Sequence, residues 1–145
     1  MNSSGVDSQT WCEISNLIAE HIWRIDHGRI MEALELYSSD PRLEFMPPAP
    51  RAGAYEGRAA VEEWFGERMK NAHVTCRHVL SNLRMTALEN GQVSATHLLV
   101  MFRDGLEGRA TTDPAFIADA EEKYIREADG WKLAERIITP IFSPA

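Results

Sequence analysis

Residues 74–103 read VTCRHVLSNLRMTALENGQVSATHLLVMFR, and this stretch decides the fold. From Val74 onward the apolar residues alternate with polar ones, which is the period of a half-buried strand. One run covers about Val74 to Leu88 and turns at Glu89-Asn90-Gly91. A second covers Gln92 to Arg103 and turns at Asp104-Gly105. Asn-Gly and Asp-Gly are strong short hairpin signals, because glycine accepts the positive φ that a tight turn demands. Two further runs, Pro114 to Glu127 and Trp131 to Phe142, flank Asp129-Gly130. The pattern predicts an antiparallel meander of long strands.

Before Val74 the period is helical. Trp11, Ile14, Ile18, Ile22 and Ile25 recur on one helix face, widened by Leu17, and Gly28 breaks the helix. Met31, Leu34 and Tyr37 mark a short second helix, which Ser38-Ser39-Asp40-Pro41 ends. Arg42 to Met46 reads as a short strand, and Pro47-Pro48-Ala49-Pro50 as an ordered loop. After Gly57, Val61, Trp64, Phe65, Arg68 and Met69 share the face of a third helix. Helices followed by strands indicate an α+β fold. Three amphipathic helices are the material available to cover a long curved sheet. The expected solution is a cone-shaped sheet wrapped around them, with a cavity between as the default ligand site.

The 145-residue chain is long enough for one domain with a genuine core, and residues 1–9 read as a frayed end ahead of a single domain at 10–145. A net charge of −7 without a basic stripe argues against nucleic acid. No apolar run reaches transmembrane length and no signal-peptide pattern opens the chain, so a soluble, cytoplasmic protein is expected. Cys12 and Cys76 form no metal-type pair, and no zincin spacing occurs among the histidines. Neither a metal nor a cofactor is expected. Acid–base chemistry by side chains is the remaining catalytic option, and an imidazole oriented by a carboxylate is its minimal form.

Arg24-Ile25-Asp26-His27-Gly28-Arg29, Tyr55-Glu56-Gly57-Arg58, Cys76-Arg77-His78-Val79-Leu80-Ser81-Asn82 and Asp129-Gly130-Trp131-Lys132 carry a resemblance. In order and spacing they resemble the SnoaL-like branch of the nuclear transport factor 2 superfamily. That branch is similar to scytalone dehydratase, bile-acid 7α-dehydratase and hexachlorocyclohexane dehydrochlorinase. The resemblance spans roughly residues 10 to 142. It implies a cone-shaped fold in which an aspartate at the end of the first helix orients a histidine on the first long strand. That histidine removes a proton beside a leaving group, and the matching residues here are Asp26 and His78. The position matched to the second histidine of scytalone dehydratase is Phe102, and a helix tyrosine of that enzyme is replaced by Ile25.

The expected activity is therefore a cofactor-independent lyase or isomerase acting on a hydrophobic small molecule. The alternatives are a non-catalytic binding or accessory-subunit protein of the same fold, and polyketide cyclisation or epoxide opening in the same cavity. Asp26 and His78 are the candidate catalytic pair. Trp23, Met46, Tyr55, Trp64, Phe102 and Phe116 are candidate apolar wall. Asn82 is expected on the His78 face, within reach of a substrate oxygen. Tyr124 is read as a donor to a developing oxyanion and Arg126 as a carboxylate binder. His21 and His27 read as exposed, and His97 as a packed or interface residue. The open face of such a sheet commonly packs on another copy, so a homodimer or homotrimer is expected.

Overall fold

The computed structural model describes residues 4–104 and 113–142. It begins with helix α1 (Ser8–Asp26), a short 3-10 helix (Met31–Leu36), strands β1 (Tyr37–Phe45) and β2 (Gly53–Glu56), and helix α2 (Arg58–Met69). Four long strands follow: β3 (Cys76–Ala87), β4 (Val93–Arg103), β5 (Pro114–Glu127) and β6 (Gly130–Phe142). They form one six-stranded sheet in the order β2-β1-β6-β5-β4-β3.

The meander predicted from the turn signals is present as the antiparallel pairs β3–β4, β4–β5 and β5–β6. The Asn90-Gly91 and Asp129-Gly130 turns sit where the sequence puts them, while the turn at Asp104-Gly105 continues outside the described residues. The sheet is nevertheless mixed rather than wholly antiparallel, because β1 runs parallel to β6. Residues 37–41 belong to β1 and not to a helix end. The ladder slips between Tyr37 and Arg42, and that irregularity lets Pro41 sit within a strand.

Helix α1 buries Ile14, Ile18 and His21, and α2 buries Val61 and Phe65, against one face of the sheet. Each fully buried Ile, Val or Phe contributes about 1.5–3 kcal/mol of transfer free energy, which fixes the inward face of both helices. The core continues into the amino-terminal segment. Val6 is buried with this cluster, Ser4 O accepts from Ala87 N at 2.8 Å, and Asp7 caps α1 by accepting from Thr10 N at 2.8 Å. The frayed end expected through residue 9 thus gives way to packed structure from Ser4 onward. No helix among the described residues is long and apolar enough to cross a membrane.

Gly28 closes α1 with φ of 76°, a left-handed conformation costly for residues with a Cβ. A Cβ there would also meet the Ala72 carbonyl oxygen at 3.4 Å. The glycine therefore ends the helix two residues after Asp26 and turns the chain away, leaving that carboxylate at the helix end against β3.

Candidate active site

A cavity of about 320 Å³ opens between the helices and the inner face of the sheet. Its walls are mainly apolar: Ile22 and Ile25 from α1, Trp64 from α2, Leu99 and Met101 from β4, and Phe116 from β5. His78 projects into it from β3.

Asp26 and His78 meet at the wall of this cavity, His78 lining it and Asp26 buried behind. Asp26 Oδ1 accepts from His78 Nδ1 at 2.5 Å, and Oδ2 accepts from the His78 backbone N–H at 2.8 Å. Cys76 Sγ donates to Oδ1 at 3.3 Å, and Arg77 Nη1 donates to the Asp26 carbonyl at 3.0 Å. The end of α1 is thereby tied to the start of β3 by side-chain and main-chain bonds. Burial of the Asp26 carboxyl opposes its ionisation, but the His78 hydrogen bonds and charge outweigh that cost, so its pKa falls below the ordinary aspartate value. An ionised carboxylate only accepts, so the proton on the shared edge belongs to Nδ1. Nε2 is the ring nitrogen left free of Asp26, and in the neutral imidazole it is the one without a proton.

Asp26, Cys76 and His78 offer potential metal ligands within 4.8 Å of one another. The 2.5 Å Nδ1–Oδ1 separation is nonetheless that of a direct hydrogen bond. Two ligand atoms on one zinc ion, each at about 2.0–2.2 Å, stand about 3 Å or more apart. Burial and the Asp26 carboxylate also push the Cys76 thiol up, which keeps it a protonated donor. As placed, the three side chains form a hydrogen-bonded set and do not fit around an ion.

A second polar group forms the floor of the cavity. His21, Tyr37 and Arg136 all line it and all are buried. Arg136 can only donate, so its 2.8 Å contact to His21 Nδ1 makes that nitrogen the acceptor. His21 Nε2 then carries the proton and donates to the Tyr37 hydroxyl at 3.0 Å. Behind Arg136 lies Glu122, which faces the guanidinium at 3.5 Å and accepts from His97 Nε2 at 3.1 Å and from the Tyr124 hydroxyl. Burial opposes ionisation of Glu122, and the Arg136 charge together with the His97 and Tyr124 hydrogen bonds overcomes it, holding the carboxyl at about 2. Burial, reinforced by the Arg136 charge, keeps the His21 pKa well below the ordinary histidine value.

The His21 shift has a consequence for stability. A histidine whose folded pKa is depressed stays neutral in the fold while the unfolded chain takes up a proton below about pH 6.5. Its contribution is full above that pH and is lost as pH falls toward the folded value. Glu122 contributes fully above about pH 4.3 and loses its contribution only at lower pH, so the two windows separate. Stability should therefore fall between pH 7 and 5 with a slope of up to about 1.4 kcal/mol per unit from His21. Urea denaturation of wild type and His21→Gln across that range checks this, since an unchanged slope in the variant would remove His21 as the cause.

The other sequence candidates divide by position. Trp64 and Phe116 line the cavity. Phe102 does not: Met101 and Arg103 face inward from β4, so strand alternation turns Phe102 outward. Asn82 also leaves the His78 face. A bulge between Ser81 and Arg84, with Asn82 at φ of 55°, shifts the strand by one residue, so Asn82 lies exposed in a shallow polar groove on the outer face. Tyr124 is buried behind the floor on Glu122 and does not reach the cavity. Arg126 is a surface residue, with its guanidinium 5.5 Å from the Trp131 ring centroid and 3.7 Å from Glu13. Trp23 is 47% exposed and stacks on His27, one helical turn away. Met46 is exposed at the end of β1. Tyr55 stands behind Trp64 and donates to the Arg51 carbonyl at 2.8 Å. His21, read as exposed, is the largest reversal, and its spacing with Ile14, Ile18 and Ile25 (i, i+4, i+7, i+11) is the signal that places it inward.

An open, curved mixed sheet with helices across one face and a polar-floored apolar cavity defines an α+β cone of the nuclear transport factor 2-like, cystatin-like class. The SnoaL-like domain model matches residues 9–137, and the chain belongs to that family. Among similar solved structures, ActVI-ORFA from Streptomyces coelicolor is 16% identical with a TM-score of 0.77, over 92% of this chain and 98% of that one. An NTF2-like protein with a cystatin-like fold from Novosphingobium aromaticivorans is 20% identical with a TM-score of 0.71, over 97% and 94%. A scytalone dehydratase-like protein from the same organism is 12% identical with a TM-score of 0.75, over 91% and 84%. These likenesses concern the fold. No curated protein matches the chain at a significant level.

Proposed function

We propose that the protein is a cofactor-independent lyase or isomerase that removes a proton from carbon in a hydrophobic small molecule, with His78 as general base. The observation that carries this reading is the 2.5 Å Asp26–His78 bond at the wall of an apolar cavity. A ligand carbonyl placed toward the floor would meet the Tyr37 hydroxyl and the Arg136 guanidinium. His78 Nε2 takes the proton from the carbon beside that carbonyl, and the C–H electron pair moves into an enolate. Arg136 and Tyr37 stabilise the developing oxyanion in a site poor in water. The enolate then either expels a group from the next carbon, with the imidazolium returning its proton to that group, or, where a neighbouring double bond extends it to a dienolate, is reprotonated by the imidazolium at the far carbon. Asp26 keeps the imidazole in the productive tautomer and stabilises its charged form.

A binding or accessory protein of this fold has no need of an imidazole oriented by a buried carboxylate at the wall of an open cavity, and that pairing favours catalysis. The test is exchange of solvent deuterium into the carbon beside the carbonyl of hydrophobic ketones, beginning with 1-tetralone and followed by NMR. Wild-type protein should accelerate exchange, and Asp26→Asn should lower the accelerated rate about 10- to 100-fold by releasing the tautomer. No acceleration across a panel of bicyclic ketones, or full activity in Asp26→Asn, would contradict the proposal.

A further inference from the structure

The mouth of the cavity is cationic in a chain whose net charge is −7. Arg51, Arg68, Lys70 and Arg103 line it, against one carboxylate, Glu67, which Lys70 already engages at 2.7 Å. Arg51 is occupied with Trp64, lying 5.0 Å from the ring centroid and donating to its carbonyl at 3.3 Å. Arg68 and Arg103 are different. Among the described residues neither has a carboxylate partner, and Arg103 Nε is buried with no hydrogen-bond acceptor. Both converge on Cys76: Arg68 Nη2 donates to its Sγ at 3.4 Å, and Arg103 stands directly across the β3–β4 ladder from it. Asp26, which shares the Cys76 thiol with Arg68, is committed to His78 and Cys76. Burial and the Arg68 charge press the Arg103 pKa down, as expected of two guanidiniums held together without an anion.

We infer that Arg68 and Arg103 form an anion site at the cavity mouth, and that the ligand is an apolar, ring-sized molecule carrying a carboxylate. Planar guanidiniums suit a carboxylate because their donors match its two oxygens. The inference rests on the cavity reading above and sharpens its substrate class. It also sets a spacing. His78 lies two residues inward from Cys76 on β3, opposite Met101, and two residues along a strand advance about 7 Å. The carbon that loses its proton therefore lies about one ring length from the carboxylate, with the apolar body running inward toward Leu99.

Calorimetric titration of 2-naphthoic acid and of its neutral counterpart 2-naphthamide tests the site without knowledge of the natural substrate. Wild type should bind the acid about 10- to 100-fold more tightly than the amide, the range expected of charge-assisted hydrogen bonds. Arg103→Gln and Arg68→Gln should each remove most of that preference while amide binding persists, which shows that the cavity is intact. Arg103→Lys should restore part of it. Equal binding of acid and amide by wild type, or a preference that survives both glutamine variants, overturns the anion site and leaves the cavity reading standing. Binding of neither compound overturns both.

Discussion

Replacing His78 by glutamine is expected to lower catalysed proton abstraction about 10²–10⁴-fold, the usual contribution of a positioned general base. Glutamine keeps a donor for Asp26 and nearly the same bulk, so Oδ1 need not be left unpaired inside the fold. What disappears is Nε2, the nitrogen that the Asp26 hydrogen bond leaves free to accept a proton. The melting temperature should therefore move by only a few degrees while deuterium exchange into a bound ketone falls to the level of the floor groups alone. His78→Ala would lose the same chemistry but also open space beside Met101 and Leu99, which makes glutamine the cleaner probe. Exchange within a factor of two of wild type in His78→Gln would show that another group accepts the proton.

The largest stability effect is expected from Arg136→Leu. Arg136 and Glu122 are both nearly inaccessible to solvent, with side chains 9% and 1% exposed. The substitution leaves the Glu122 carboxylate buried with its hydrogen-bond donors His97 and Tyr124 but without the guanidinium, and it frees His21 Nδ1 of its donor. Removing one partner of a buried ion pair costs about 3–5 kcal/mol. In a chain of this size that corresponds to a fall of about 10 °C in melting temperature. Pairing the change with Glu122→Leu should recover much of the loss, since replacing both charges by apolar side chains of similar volume is often close to neutral. Urea denaturation of the single and double variants decides the matter. A single-variant loss below about 1 kcal/mol would mean that Glu122 is not held ionised by Arg136.

The sequence was most readable where one local period governs one element. The Ile14, Ile18 and Ile25 stripe and the Asn90-Gly91 and Asp129-Gly130 turns placed α1 and the long strands. The family segments around Asp26 and His78 picked out two residues, 52 positions apart, that the fold brings into contact. Legibility failed where phase depends on something non-local. The bulge at Ser81–Arg84 carries no glycine or proline to announce it, yet it reverses every assignment after Leu80 and sends Asn82 outward. Pairing of β1 with β6 joins segments almost 100 residues apart, and no local pattern encodes it. The floor eluded residue-by-residue reading because charged and polar side chains are ordinarily assigned to the surface. Arg136, two residues before Ile138 on one strand face, and His21, in register with the α1 stripe, are interior because they satisfy one another through Glu122 and Tyr37.

The tautomer of His78 tests the central claim most directly, because it needs no substrate. Long-range proton–nitrogen NMR at neutral pH should find the neutral imidazole protonated at Nδ1, with a strongly deshielded Nδ1 proton that is lost in Asp26→Asn. A neutral His78 protonated at Nε2 would contradict the account, since the nitrogen facing the cavity would then be a donor and could not act as the base.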